Sequence, residues 1–260
     1  MRRLLPLLPF LLATPAAAQP VHAVYEVYAA GMTVLELEVA FDLHEGGYRI
    51  QSALRTRGVA ASFAPGEQVT RTEGTWRGAE ARPTAYVTEG TWRGNPRRIA
   101  LDYQGADPVV RALVPPEEER EEVPAALRRG TVDVLSALAT VSRTVDRTGR
   151  CDAATRVFDG RRLSEYAAVT ESRDRVQPWR AAWHGEALRC RYEGRLVAGF
   201  RRDQPREAAA EPQRGTAWLA APYAGAPPIP VRVDIPTRWF GTATAVLLRA
   251  APLRAEQARQ

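Results

Sequence analysis

The 260-residue chain carries 36 basic and 30 acidic residues for a formal net charge of +6, and its basic residues are all arginine, because lysine is absent. Enzymes that form a Schiff base on lysine, or that hold phosphate with a loop lysine, are therefore excluded. The charge excess is mild, and the arginine pairs Arg97-Arg98, Arg128-Arg129, Arg161-Arg162 and Arg201-Arg202 are separated by acidic residues. No basic stripe points to a nucleic-acid partner.

Met1-Arg2-Arg3, the apolar run Leu4 to Leu12 and the small residues Ala16 and Ala18 have the three parts of a secretory signal. Cleavage is expected after Ala18, giving a soluble periplasmic product. The run is far shorter than the roughly 20 apolar residues a bilayer span requires, and no longer one follows. No cysteine near the cut could accept a lipid anchor. The remainder reads as one β-rich domain over residues 19–253, followed by a frayed tail over 254–260.

Val21 to Tyr28 is rich in β-branched and aromatic residues and leads through Ala29-Ala30-Gly31 into Met32 to Leu43. There Leu35, Leu37, Val39, Phe41 and Leu43 alternate with Glu36, Glu38, Ala40 and Asp42, the period-two pattern of a strand with one wet face. Glu45-Gly46-Gly47 then opens a strand with Tyr48, Ile50, Ser52, Leu54 and Thr56. Glu67 to Trp76, Thr84 to Trp92 and Arg97 to Tyr103 continue the meander, separated by Gly78 to Arg82 and by Arg93-Gly94-Asn95-Pro96. The heptapeptide Thr-Glu-Gly-Thr-Trp-Arg-Gly occurs at Thr72 to Gly78 and again at Thr88 to Gly94. Its Trp76 and Trp92 read either as packing residues of neighbouring strands or as an aromatic and arginine platform for an anionic or glycan ligand.

Pro115 to Pro124, with its run of glutamates, reads as a solvated connection. Thr131 to Val145 is the one clear helix, with Thr131 as its N-cap, Asp133 near the positive end, and Leu135, Leu138, Ser142 and Val145 near one face. It is expected to cover the sheet. Strands resume at Thr155 to Phe158, Arg161 to Val169, Ala187 to Tyr192 and Arg195 to Phe200, the first two joined by the hairpin signal Asp159-Gly160. Gln204 to Gly215 and Ala221 to Pro230 read as connections, with Val231 to Ile235 and Thr242 to Leu248 as closing strands. The only cysteines, Cys151 and Cys190, read as one disulfide in an exported chain, with two buried free thiols as the alternative.

Val24-Tyr25-Glu26-Val27-Tyr28 with Gly31, Pro83 and Tyr86, Asp133 with Leu135-Ser136-Ala137-Leu138, Val157-Phe158-Asp159-Gly160-Arg161, and Pro230 to Ile235 with Gly241-Thr242 occur in an order that resembles the DUF3108 family. The glutamate-rich stretch and the repeated heptapeptide have no counterpart in that pattern. The resemblance implies an exported, curved antiparallel sheet with a helical cover, similar in architecture to periplasmic lipoprotein carriers, and it implies no reaction.

The expected fold is thus mainly β: a curved antiparallel meander sheet or open barrel with one covering α-helix. His22, His44 and His184 have no metal-ligand spacing, and no nucleophile elbow is present, so no catalytic residue, metal or cofactor is assigned. The expected function is a binding or carrier module for an apolar or amphipathic envelope molecule such as a lipid, with Leu35, Leu37, Val39, Phe41, Ile50, Leu54, Trp76 and Trp92 as candidate ligand contacts. The alternatives are an envelope assembly protein with a filled core, docking a protein partner, and a hydrolase of an envelope polymer.

Overall fold

The computed structural model describes residues 19–237 and 241–253, so the signal-type segment and the tail over 254–260 lie outside the described residues. Seven strands come first: β1 (Val21–Ala29), β2 (Met32–His44), β3 (Gly47–Thr56), then after the short helix α1 (Gly58–Phe63) β4 (Gly66–Arg77), β5 (Glu80–Trp92), β6 (Asn95–Gln104) and β7 (Asp107–Val114). The short α2 (Ala125–Arg128) and the long α3 (Val134–Thr148) follow. Six more strands complete the chain: β8 (Ala153–Phe158), β9 (Leu163–Val176), β10 (Gly185–Ala198), then after α4 (Arg206–Ala209) β11 (Gln213–Ala220), β12 (Ile229–Thr237) and β13 (Gly241–Pro252).

All thirteen strands form one antiparallel sheet in the order β7-β6-β5-β4-β3-β2-β1-β13-β12-β11-β10-β9-β8. Sequence neighbours are therefore sheet neighbours everywhere except β7 and β8, which are left as the two edges, while β1 pairs with β13 to join the two halves. Tight turns make this meander possible: Ala30 and Gly31 have φ of 49° and 77°, Arg93 and Gly94 of 50° and 77°, the left-handed pair that a two-residue hairpin with right-handed strand twist needs.

The sheet curls until its two wings meet without pairing. Tyr86, Leu101 and Ile99 from the first wing pack with Phe158, Leu163 and Ala198 from the second, around Val123 of the connection. Gly160, at φ 93°, sits against Ile99, and a Cβ there would lie 2.5 Å from Ile99 Cγ2. Gly160→Ala is therefore expected to destabilise the fold by about 1 to 3 kcal/mol, from the positive φ and the displaced Ile99 together. Urea unfolding checks this, and Ile99→Ala in the same background should recover part of the loss.

Four expectations are corrected. Pro115 to Pro124 is not a free solvated connection but a strap across the gap: Glu121 N donates to Phe200 O and Arg202 N to Glu119 O, each at 2.9 Å. Thr131 is not the helix N-cap, because its hydroxyl donates to Arg128 O and the following Val132 pairs in parallel with β8. Asp133 caps instead, and α3 runs past Val145 to Gly149, whose φ of 67° ends it. Ala187 to Tyr192 and Arg195 to Phe200 are not two strands but one, β10. Gly194 is there for space, since a Cβ would fall 2.5 Å from the ring of Tyr166 on β9. The strands β7 and β11 and the short helices α1, α2 and α4 are additional to those expected.

Inside the curl, α3 packs on the concave face. Leu135, Leu138 and Ala139 join the main core of Val39, Phe41, Ile50, Ile229 and Leu247, and Val145 and Val141 join Cys151, Cys190 and Leu219. The alternation in β2 holds from Leu37 to Leu43, with Val39, Phe41 and Leu43 buried and Glu38 exposed. Cys151 and Cys190 are bridged.

Candidate functional site

The face of α3 toward the first wing is polar and anchored. Asp133 is fully buried; its Oδ1 accepts Leu135 N at 3.0 Å and Ser136 N at 2.9 Å, and its Oδ2 accepts Ser136 Oγ and, at 2.9 Å, Thr72 Oγ1. Tyr48 Oη lies 2.7 Å from Ser136 Oγ. Burial pushes the Asp133 carboxyl up from its usual value, and the hydrogen bonds from Ser136 and Thr72 pull it partly back. This cluster has no exposed member and locks the helix to β3 and β4. One turn on, Thr140 Oγ1 accepts Ala81 N at 3.0 Å, and the buried Arg143 lies over Trp76, 4.5 Å from the ring centre, while donating to Gly78 O.

The opposite face of α3 is apolar and incompletely covered. Between it and the second wing lies a cavity of about 350 Å³, bordered by Val134, Ala137, Leu138 and Val141 of α3 and by Ala153, Ala168, Ala217 and Val233 of the strands, among others. Small residues on facing strands leave the space: Ala153 and Ala168 are direct cross-strand partners. Cys190, Tyr192 and Leu219 also contribute to the wall, and burial pushes the Tyr192 hydroxyl up to about 12.

Where the wings meet, a second and larger cleft of about 830 Å³ opens beside the first, and Val134, Val157 and Tyr166 border both. Its lining is charged: Arg97 from β6, Arg120 and Glu117 to Glu119 from the strap, Asp159, Arg161 and Arg162 from the hairpin joining β8 to β9, and Arg201 after β10. Arg161 Nη1 donates to Glu117 at 2.7 Å, Arg162 pairs with Asp159 at 2.8 Å and Arg201 with Glu119 at 2.8 Å. Three arginine pairs that are far apart in sequence thus each place a member in one cleft.

The residues expected to contact ligand are distributed differently. Val39, Phe41 and Ile50 are packed in the main core, with Leu37 and Trp76 against it. Leu35 is half-buried opposite Thr56. Leu54 and Trp92 border a further cleft of about 330 Å³ together with Gln68 and Arg97. Trp76 pairs with Ala81 and Trp92 with Gly66, opposite ends of the β4-β5 hairpin. At about 3.3 Å per residue that separates the two indoles by roughly 30 Å, so they form no common platform.

The histidines serve local roles: His22 Nε2 lies 3.3 Å from Glu38, His44 Nδ1 accepts Gly46 N, and His184 is exposed. Among the described residues no group of three or more His, Cys, Asp or Glu is placed to hold a metal ion, and no helix is long and apolar enough to cross a membrane.

This is a curled, unclosed antiparallel sheet wrapped around one long helix, with an apolar cavity and a charged cleft sharing a boundary. The chain belongs to the family described as protein of unknown function (DUF3108), whose model matches residues 24–248. In structure it is similar to a β-barrel-like protein of the domain of unknown function DUF1849 from Brucella abortus, with a TM-score of 0.56, 12% identity, and 92% of this chain and 99% of that one covered. At that identity the likeness speaks for the fold alone. No curated protein matches the chain in sequence.

Proposed function

We propose that this chain is a non-catalytic binding or carrier protein of the bacterial periplasm, taking the apolar part of an amphipathic envelope molecule between α3 and the strands β8 to β12. The observation that carries this reading is the 350 Å³ cavity, whose walls are almost wholly apolar and which opens onto a polar cleft. Specific small-molecule sites have this composition and a volume of about 300 to 1,000 Å³. A signal-type start and a disulfide support an oxidising compartment. The strongly packed contacts of Val39, Phe41 and Ile50 give the carrier its rigid back wall, and the ligand lies on the other side of α3.

Purified, delipidated protein incubated with envelope lipid extract should retain added mass in native mass spectrometry. Ala168→Phe, which fills the cavity from β9, should abolish the added mass while leaving the thermal midpoint within a few degrees. No retained mass on the parent chain, or equal retention by Ala168→Phe, overturns the reading.

A second reading, an envelope assembly protein that docks a protein partner, draws on α1. None of its residues is buried, Phe63 is 77% exposed, and Val59 and Met32 are exposed at the same end of the sheet. An exposed apolar cluster of this kind is a common mark of a docking surface. Partner capture through that end is indifferent to Ala168→Phe, so the same variant separates the two readings.

A further inference from the structure

Resting on the binding reading above, we infer that the ligand's head is anionic, a phosphate or a carboxylate, and that it is held by Arg97, Arg120 and Arg162 in the cleft that adjoins the apolar cavity. Three observations support this. The cleft is lined by five arginines against four carboxylates. Three of those carboxylates, Glu117, Glu119 and Asp159, are engaged by arginines. Glu118 is the exception, and it is exposed on the strap.

The arginine donors are not all committed. Arg161 is satisfied by Glu117 and Pro115 O, and Arg201 by Glu119 and Asp203. Among the described residues the Arg97 side chain has neither a salt bridge nor a hydrogen bond, and it stands exposed on β6 at the border of the cleft. Arg120 spends Nη1 on Gly199 O and shares Glu117 with Arg161 at a loose 3.9 Å. Arg162 uses Nε and Nη2 on Asp159. One nitrogen of each of these two guanidinium groups is left for a ligand.

The cleft is also short of negative charge where it is least exposed. Arg120 and Arg161 keep only 20% and 15% of their side chains exposed, and one carboxylate, Glu117, lies between them. Burial, then the neighbouring Arg162, pull Arg120 below the usual arginine range, as happens to a cation lacking a full complement of counter-charge. Planar guanidinium groups recognise phosphate and carboxylate oxygens through paired hydrogen bonds, and they do so best where water is partly excluded. Val134, Val157 and Tyr166 then form the joint at which the head region gives way to the tail region.

The test uses twelve-carbon amphiphiles below their micellar concentrations, titrated calorimetrically into the full chain: dodecyl phosphate, dodecanoate, neutral monododecanoylglycerol and dodecyltrimethylammonium. Inorganic phosphate alone is a further arm. The expected result is that one or both anions bind about tenfold or more tightly than the neutral amphiphile, and the cation most weakly. The tighter anion distinguishes a phospholipid-type head from a fatty-acid one. Arg97→Gln, which breaks no side-chain hydrogen bond or salt bridge among the described residues, should narrow the preference about threefold or more and leave the neutral amphiphile's affinity unchanged. Equal binding of all four amphiphiles overturns the anionic head but leaves the apolar cavity standing. Binding of none overturns both. Inorganic phosphate binding as tightly as dodecyl phosphate overturns the joined head-and-tail assignment in favour of a free anion.

Discussion

Asp133→Ala is expected to lower the unfolding free energy by about 2 to 6 kcal/mol, because the lost helix cap leaves two amides without an acceptor at about 1 to 3 kcal/mol each. Leu135 N and Ser136 N have no other acceptor, whereas the hydroxyls of Thr72 and Ser136 can turn to Ala85 O and Tyr48. Asp133→Asn keeps the Oδ1 acceptor and should be much milder. The pair of variants also exposes a pH dependence. Burial raises the folded-state pKa of Asp133 above its unfolded value, so the folded chain binds that proton more tightly. The resulting stabilisation is fully present below the unfolded value of about 4 and is lost as pH rises through the raised folded value. Relative to Asp133→Asn, the parent chain should therefore gain stability as pH falls from about 8 toward 4. Chemical unfolding at several pH values measures this, and a difference that stays flat across the range would show that the four hydrogen bonds compensate burial in full.

The alternating residues of β2 were legible because a strand with one wet face writes its burial directly into its sequence. Position in the sheet was legible too, since a meander with two-residue turns leaves each strand little choice of neighbour. What failed is what depends on distant contacts. Gly194 looks like a turn residue, yet it lies mid-strand, where the ring of Tyr166 takes the place of its side chain. Thr131 looks like a cap, yet the backbone before Asp133 is already paired with the edge of β8.

The site was hidden for a related reason. Sequence shows which residues of β2 and β3 face inward, and it cannot show that α3 fills that side and leaves its other face open. The cavity is made by absence: Ala153, Ala168 and Ala217 are small where a packed wall would carry Val or Leu. The four arginine pairs were visible as pairs and as scattered. Only the curl that brings the hairpin at Asp159-Gly160 against Ile99 gathers Arg97, Arg161, Arg162 and Arg201 into one cleft. A run of glutamates beside them then reads as the strap that partly neutralises the cluster, not as a solvated linker.

Reducing the bridge between Cys151 and Cys190 is expected to cost up to about 4 kcal/mol, the chain-entropy value for a loop of this length. The two cysteines are 39 residues apart. That loop holds β8, β9 and half of β10, so the open denatured chain regains the freedom of most of one wing when the bridge is cut. The folded state loses a specific tether as well. Cys151 lies just beyond the glycine that ends α3, and Cys190 lines the apolar cavity, so the bridge fixes the C-terminal end of the helix at a set height over the wing. Two hydrogen bonds to side chains and the packing of Val141 and Val145 hold that end besides the bridge: Cys151 N donates to Thr170 Oγ1 and Thr170 N to Asp152 Oδ1. Urea unfolding with and without reductant should show the midpoint fall and the slope rise, since the uncrosslinked denatured chain exposes more surface, and amphiphile binding should weaken in parallel before global unfolding begins. A cost below about 1 kcal/mol would mean that the denatured chain is already compact in this region. Unchanged binding in the reduced but folded protein would mean that packing around Val141 and Val145, rather than the bridge, sets the distance between α3 and the wing.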